Sequence, residues 1–304
     1  MSPRLLASSL AVVLAPALLA ACSSAPARSG DGRPHVVASF YPLEFAAQQV
    51  GGPYVSVSGL TKPGAEPHDV ELSPQDVAGL SRASLVVYEK GFQPAVDDAV
   101  AQEAASRGFD VTPAAHLDLT APAESDVSPK GGNDPHFWLD PARYRGVAQA
   151  LAARLAEVDP PHAADYAANA RSFGERLGVL DAEFSAGTAQ CEVKDLVTSH
   201  AAFGYLSARY GFTQVPIAGI SPDVEPSAAA LSAVADLVRA RHVSTVYAET
   251  LVEPKFAETI ARSTGAAVAV LDPVEGLTAA SAGKDYFEVM RANLATLKTG
   301  QVCR

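Results

Sequence analysis

The sequence predicts an α/β protein of two lobes, each built on a parallel-type sheet, with one long rigid helix joining them. Short β-branched runs alternate with helical segments, which is typical of βαβ units. This alternation occurs twice, once before residue 120 and again after residue 190. Between the two series a helical pattern of apolar residues continues for about 25 residues. We therefore expect two lobes that face each other across a cleft.

The first series of elements lies in residues 35–159, which we assign to the N-terminal lobe. Its β-rich runs read HVVASF, YVSVSGL and SLVVYE, with a shorter extended run in FDVTPAAHLDL. The helical segment LSPQDVAGLSRA begins with Ser73 as its N-cap and Pro74 in its first turn. A further helix is expected from Pro141 to Val158, with Asp140 as its N-cap.

Residues 160–187 form the expected linker helix, and residues 188–304 form the C-terminal lobe. The apolar side chains of the linker recur at alternating steps of four and three residues, at Tyr166, Ala170, Phe173, Leu177, Leu180 and Phe184. About 25 helical residues would be ~38 Å long, enough to run along both lobes. The later segment repeats the alternation of strands and helices and ends in the helical pattern KDYFEVMRANLATLKTG.

Residues 1–21 have the anatomy of a secretory signal peptide. Arg4 supplies a basic start to an apolar run that ends in small residues. The sequence LAAC, ending at Cys22, resembles the lipobox of bacterial lipoproteins, which implies cleavage before Cys22 and lipidation of its thiol. Residues 22–34 then read as a flexible, lipidated tether. The alternative is a plain signal peptide followed by a chance cysteine.

The negative net charge argues against one class of function, the binding of nucleic acid. The formal net charge is −11 at pH 7, which argues against nucleic acid as a partner because nucleic acid requires a basic face. An acidic surface suits a protein that meets cations, although most acidic proteins are merely solvated.

Two cysteines remain once Cys22 is set aside, Cys191 and Cys303. An exported protein with two such cysteines usually pairs them, so we expect a disulfide between them. Two inert buried thiols are the alternative.

Three of the seven histidines stand in turns that lead into predicted helices: His68, His136 and His200. Asp272 occupies a fourth such position, directly after a β-rich run. In open α/β sheets ligands bind at the carboxyl ends of the strands, so the four side chains can converge if the lobes face each other. Three imidazoles and one carboxylate suit Zn²⁺, which takes four ligands in a tetrahedron. The alternative is four unrelated turn residues, with Asp272 as a helix cap.

Four segments carry a resemblance to a known family: GAEPHDVELSPQDVAGLSRASLVVYEKG, DPHFWLDP, TSHAAFGYLSARYGF and YAETLVEPKFAETIARSTGAAVAVLDP. They resemble the cluster A-I metal-binding proteins of ABC importers, which include zinc-uptake binding proteins and manganese-binding lipoproteins of the adhesin type. The resemblance covers nearly all of the mature chain. It implies two α/β lobes joined by a rigid helix, with the metal site in the interlobe cleft. By motif, the metal ligands would be His68, His136, His200 and Asp272.

The third ligand indicates the metal. Manganese-type relatives usually have glutamate where this chain has His200, and imidazole suits Zn²⁺ better than Mn²⁺. Many zinc-type members carry a His-rich loop before the second ligand. The corresponding segment here, TAPAESDVSPKGGN, contains no histidine, so the chain resembles a variant that lacks this loop.

Three carboxylates are candidates to support the ligands from behind: Asp69, Asp134 and Glu249. Metal-bound histidines normally donate their second ring N–H to a carboxylate or a carbonyl. The alternative is that each is a turn residue or a surface charge.

These observations predict an extracytoplasmic zinc-binding protein that is anchored to the membrane by lipid and delivers Zn²⁺ to an ABC permease and its ATPase. The expected protein is a monomer and not an enzyme, because four protein ligands leave no open position for an activated water. Loading by a metallochaperone is left open. Two other functions also remain open: a manganese or iron carrier of the adhesin type, and a metallohydrolase.

Overall fold

The computed structural model describes residues 32–120 and 132–304. The expected signal peptide, the lipidation site at Cys22 and most of the tether lie outside these ranges, as does most of the His-free segment before His136. Within the described ranges, no helix combines the length and the apolar character needed to cross a bilayer.

The N-terminal lobe contains a sheet of four parallel strands in the order β2-β1-β3-β4. The strands are β1 (His35–Ala38), β2 (Ser56–Gly59), β3 (Leu85–Tyr88) and β4 (Gly108–Asp110). The helices of this half are α1 (Tyr41–Gly51), α2 (Pro74–Arg82), α3 (Pro94–Glu103), α4 (Thr112–Ala115) and α5 (Pro141–Val158).

The C-terminal lobe repeats this topology with a second parallel sheet in the order β6-β5-β7-β8. Its strands are β5 (Asp195–Thr198), β6 (Thr213–Pro216), β7 (Thr245–Ala248) and β8 (Ala267–Val270). Its helices are α7 (Gly204–Tyr210), α8 (Ala228–Ala240), α9 (Lys255–Thr264) and α10 (Tyr286–Gly300). The prediction of two α/β lobes with parallel sheets is therefore confirmed.

Local sequence signals fix where the helices on either side of the site begin. Ser73 and Asp76 form a capping box at the start of α2, in which each side chain accepts a hydrogen bond from the backbone N–H of the other residue. Asp140 caps α5 by accepting from Ala142 N at 2.9 Å. Both predicted N-caps are confirmed.

The helix α6, Ala163–Thr188, connects the lobes. Its 26 residues make it ~39 Å long. It packs against α1 and α5 of the N-terminal lobe and against α7 and α10 of the C-terminal lobe. Its buried stripe includes all six apolar residues predicted to line it, from Tyr166 to Phe184. The helix is therefore part of the core of both lobes and not an exposed connection.

Aromatic rings from four helices meet around α6. Phe45 of α1 lies 5.8 Å from Phe173 of α6 and 5.9 Å from Tyr286 of α10, ring centre to ring centre. Phe173 also contacts Phe287 at 5.8 Å, and Tyr144 of α5 contacts Tyr286 at 4.9 Å. Each such pair adds ~0.5–1.5 kcal/mol beyond the burial of its area. The largest hydrophobic cluster thus spans both lobes and holds them in one fixed arrangement.

The predicted disulfide between Cys191 and Cys303 is present. It links the chain just after α6 to the C-terminal segment that follows α10. The two cysteines are 112 residues apart, and a closed loop of that size stabilises by at most ~4–5 kcal/mol in the chain-entropy model.

We expect the double variant Cys191→Ser/Cys303→Ser to unfold at lower urea concentration than the wild type, with a loss of up to ~4–5 kcal/mol in the free energy of unfolding. Circular dichroism during urea titration measures this loss. A reducing agent should destabilise the wild type and leave the double variant unchanged. Equal midpoints for the oxidised wild type and the double variant would contradict the expectation.

Candidate metal centre

Each of the three predicted histidines is buried and stands on a loop. His68 lies between β2 and α2, His136 directly precedes a 3₁₀ turn at Phe137–Leu139, and His200 follows β5 by two residues. The C-terminal ends of β5 and β7 flank the point where the strand order reverses, which is where α/β sheets bind ligands. The two lobes therefore direct the three imidazoles into the cleft between them.

A carboxylate from the C-terminal lobe completes the group, so that the donor atoms of His68, His136, His200 and Glu275 all lie within 4.8 Å of one another. His136 Nε2 is 3.3 Å from His68 Nε2 and 3.4 Å from His200 Nε2. Glu275 Oε1 is 3.0 Å from His136 Nε2, 3.2 Å from His200 Nε2 and 3.5 Å from His68 Nε2. Five of the six distances between donors therefore fall in a narrow range.

These distances match the edges of a tetrahedron around one small ion. Ligands bound at ~2.0–2.1 Å, the lengths of Zn–N and Zn–O bonds, lie ~3.3 Å from one another at tetrahedral angles. The measured separations of 3.0–3.5 Å bracket that value. The four donors can accept such an ion with little movement.

The fourth position differs from the sequence-based expectation. Asp272 is not in the group, because both of its carboxylate oxygens are engaged within the C-terminal lobe. Asp272 Oδ1 accepts from Val274 N at 2.8 Å, and Oδ2 accepts from Thr250 Oγ1 at 3.1 Å. Glu275, three residues later in the same loop after β8, reaches the histidines in its place. The presence of two carboxylates in LDPVEG was the only signal in the sequence for Glu275.

The loop between Asp272 and Glu275 contains a strained residue. Val274 is fully buried and has a φ of +59°, in the left-handed region that β-branched residues seldom adopt. Such a conformation costs of order 1–3 kcal/mol and persists only where the surroundings enforce it. It turns the chain so that the next residue, Glu275, enters the cleft.

Two of the three candidate supporting carboxylates contact histidines of the donor group. Asp134 Oδ1 lies 2.8 Å from His136 Nδ1 and also accepts from the backbone N–H of His136 at 2.9 Å. Glu249 Oε1 lies 2.7 Å from His200 Nδ1. With Nδ1 as the donor in each pair, Nε2 is left facing the other donors of the site. Gly204 permits the approach of Asp134, since a Cβ at this position would collide with Asp134 Oδ2.

Asp69 occupies a different environment. It is exposed and lies near Glu66 and Asp223, whose carboxylate oxygens are within 4.8 Å of its own. Glu66 extends back towards the site and accepts from the backbone N–H of His68 at 2.9 Å. Burial and the charge of Glu275 raise the pKa of Glu66 to about 8. A cavity of about 440 Å³ adjoins this group and is lined by further acidic residues, including Glu225 and Glu253.

The four donors form a charged cluster. Burial lowers the pKa of His200, but the charges of Glu249 and Glu275 outweigh burial and hold this pKa well above its ordinary value. Burial also lowers the pKa of His136, and hydrogen bonds with Asp134 and Glu275 leave it raised overall. Burial would raise the pKa of Glu275, but the facing histidines hold it well below its usual range. Without metal, the cleft therefore favours protonated His136 and His200 paired with an ionised Glu275.

The two-lobed fold and the buried group of donors define a class of protein that binds a metal cation in the cleft between two rigid lobes. Comparison with known proteins places the chain more narrowly. Residues 36–300 match the family described as "Zinc-uptake complex component A periplasmic". The chain belongs to this family, and the predicted family resemblance is thereby confirmed.

Curated relatives are named for zinc uptake or zinc binding. The "High-affinity zinc uptake system protein ZnuA" of Bacillus subtilis is 32% identical over 296 residues, which cover 92% of this chain and 93% of that protein. The "Zinc-binding protein AdcA" of Streptococcus pyogenes is 35% identical over 288 residues, covering 88% of this chain. The match spans only 56% of the length of AdcA.

Solved structures share the fold. The Zn(II)-bound ZnuA-like domain of AdcA from Streptococcus pneumoniae is 32% identical, with a TM-score of 0.74 over 89% of this chain and 99% of that one. The laminin-binding protein Lmb of Streptococcus agalactiae, described as having adhesin and metal transporting activity, is 34% identical, with a TM-score of 0.76 over 88% of this chain and 99% of that one.

The charged cluster predicts how the stability of the metal-free protein depends on pH. Histidines with a raised pKa stabilise the fold fully below ~6.5, their ordinary value, and lose this contribution as pH rises through the folded pKa. Glu275, with a lowered pKa, stabilises above its ordinary value of ~4.3 and loses its contribution as pH falls towards the folded pKa. The cluster should therefore stabilise most between about pH 4.5 and 6.5.

We expect Glu275→Gln to destabilise the metal-free protein more at pH 6 than at pH 8.5, since the charge it removes matters most when the imidazoles are protonated. Urea titration in the presence of a chelator measures both differences. The pKa of His68 is lowered by burial, so the effect of His68 on stability changes with pH in the opposite direction. The quantity to compare is therefore the difference in the free energy of unfolding between the wild type and Glu275→Gln at each pH. An equal loss at both pH values would refute the ion-paired cluster.

Proposed function

We propose that this protein is an extracytoplasmic high-affinity zinc-binding protein that delivers Zn²⁺ to an ABC permease and its ATPase. His68, His136, His200 and Glu275 are the proposed ligands. The observation that carries the proposal is the set of donor separations of 3.0–3.5 Å in a buried cleft. Family membership and the zinc-binding relatives support the same conclusion.

The donor set favours zinc over manganese. Three imidazoles and one carboxylate are the ligands of a tetrahedral Zn²⁺ site, whereas Mn²⁺ prefers more oxygen ligands. Glu249 and Asp134 orient His200 and His136 so that their Nε2 atoms face the ion. The adhesin-type manganese or iron carrier is therefore the less favoured alternative.

The same donor set argues for transport and against catalysis. A catalytic zinc site typically has three protein ligands and keeps the fourth position for water or substrate. Here four protein donors surround one position, which leaves no place for an activated water. We therefore propose a carrier and not a metallohydrolase.

The proposed mode of capture involves little movement between lobes. The aromatic core around α6 joins the two halves, and the donors of both already lie at binding distances. The exposed carboxylates of Asp69 and Asp223, which lie beside Glu66, raise the local concentration of cations.

Export and anchoring complete the proposal. Residues 1–21 are proposed to direct export, and Cys22 to carry the lipid that holds residues 22–34 as a tether at the extracytoplasmic face of the membrane. A monomer that exchanges its ion with the permease fits this arrangement, with a metallochaperone as an open further partner.

We expect the purified, chelator-treated protein to bind one Zn²⁺ more tightly than Mn²⁺. Competition with a chromogenic chelator measures both affinities. His136→Ala and Glu275→Gln should each weaken zinc binding by at least ~10-fold, because the first removes a ligand and the second replaces a charged carboxylate by a neutral amide. His242→Asn, at an exposed histidine beyond the end of β7 opposite to Glu249, is the matched control and should bind as the wild type does. Tighter binding of Mn²⁺ than of Zn²⁺ would refute the zinc assignment.

The anchoring proposal has its own test. We expect Cys22→Ser to move the exported protein from the membrane fraction to the soluble fraction, since the acylated thiol is lost. Immunoblots of the two fractions report this shift, and the Cys191→Ser/Cys303→Ser variant should remain with the membrane. Retention at the membrane of a Cys22→Ser protein that has lost residues 1–21, as judged by its mass, would rule out lipidation at this residue as the anchor.

A further inference from the structure

In the loop that carries Glu275, nearly every backbone polar group from Asp272 to Val274 is hydrogen-bonded. Asp272 N donates to Asn293 Oδ1 at 2.9 Å, and Asn293 Nδ2 donates to Asp272 O at 2.6 Å. Val274 N donates to Asp272 Oδ1 at 2.8 Å. Asn293 belongs to α10, so the loop is fixed to the frame of the C-terminal lobe.

A further bond comes from the other lobe. Trp138 Nε1 donates to Pro273 O at 2.8 Å, and the hydroxyl of Tyr286 donates to Trp138 O at 2.6 Å. Trp138 stands two residues after His136 in the 3₁₀ turn. The turn that carries the second proposed ligand therefore holds the loop that carries the fourth, across the cleft.

These bonds surround the single strained residue of the loop. Val274 has a φ of +59° and no exposed surface. A valine prefers extended or right-handed backbone. If Val274 relaxed to either, the chain direction at Glu275 would change and its carboxylate would leave the imidazoles. The Asp272 side chain bridges the strained peptide directly, in the manner of an Asx turn.

We propose that Asp272 is a positioning residue: its carboxylate, with Asn293, holds Val274 in the left-handed conformation and so fixes Glu275 Oε1 at the metal. This inference rests on the proposed function, because it takes Glu275 as the fourth ligand. The inference gives the buried Asp272 carboxylate a structural role that does not involve binding the ion. The strain is stored in the fold before the metal arrives, so the fourth ligand is in place when the ion enters.

The test uses variants that separate support of the turn from ligation. Asp272→Ala removes the acceptor for Val274 N and should weaken zinc binding ~10–100-fold, the usual effect of losing a partner behind a ligand. Asp272→Asn keeps an acceptor oxygen at the same place, and its affinity should stay within a few-fold of the wild type. A direct ligand role for Asp272 predicts instead that Asn is nearly as harmful as Ala.

A matched pair at residue 274 tests the strain itself. Val274→Gly and Val274→Ala both remove the buried isopropyl group, but only glycine adopts positive φ without steric cost. In the Asp272→Ala background, the Gly variant should therefore bind zinc more tightly than the Ala variant. Equal affinities in this pair would overturn the inference.

Substitution of Co²⁺ for zinc gives a readout that general destabilisation would not move. A four-coordinate Co²⁺ site has intense visible absorption, and the band should weaken in Asp272→Ala as water molecules replace Glu275 and raise the coordination number above four. The band should return in Asp272→Asn. Thermal unfolding of each metal-free variant establishes that it is folded. Should Asp272→Ala fail to fold, Asn293→Ala loosens the same loop and should weaken zinc binding and the Co²⁺ band in the same way.

The wild type and Glu275→Gln separate this inference from the proposed function. If the wild type does not bind zinc, the proposed function fails. If the wild type binds zinc and Glu275→Gln weakens binding, but Asp272→Ala has the affinity of the wild type, only the positioning role is refuted.

Discussion

The site depends on the aromatic core that α6 shares with both lobes. Phe45, Phe173 and Tyr286 come from three helices in different parts of the chain, yet they pack as one cluster. A core packed at normal density does not deform continuously. Two donors from each lobe therefore meet at distances of 3.0–3.5 Å in a cleft whose shape is set by the packing of both lobes. The geometry of the cleft is a property of the fold.

The same rigidity has an electrostatic cost that the site offsets locally. Placing four polar donors in a buried cleft is unfavourable unless each has a partner. Asp134 and Glu249 provide partners from behind, and Glu275 provides the central negative charge. In the absence of metal, protons on His136 and His200 take the role of the cation. Binding of the ion then displaces these protons from the cluster, so acid should weaken binding.

Most of the fold and three of the four proposed ligands were predictable from sequence, because they depend on local patterns. Period-2 and period-3.6 runs marked the strands and helices, and turns before helices marked His68, His136 and His200. The fourth position was not predictable in this way. It depends on a positive φ at Val274, which the sequence disfavours and which long-range bonds from Asn293 and Trp138 enforce. The environment of Asp69 was not predictable either. Asp69 directly follows His68 in sequence, but its side chain lies near Glu66 and Asp223.

Trp138 is the only tryptophan of the chain, and it is fully buried. Its indole donates to Pro273 O on the Glu275 loop, packs 5.2 Å from the ring of His136, and contacts Phe40 at 5.0 Å. The emission of an indole responds to the charge and hydrogen bonding around it. The protein thus carries an intrinsic fluorophore at the junction of its lobes, and its optical signal comes from one defined place beside the proposed ligands.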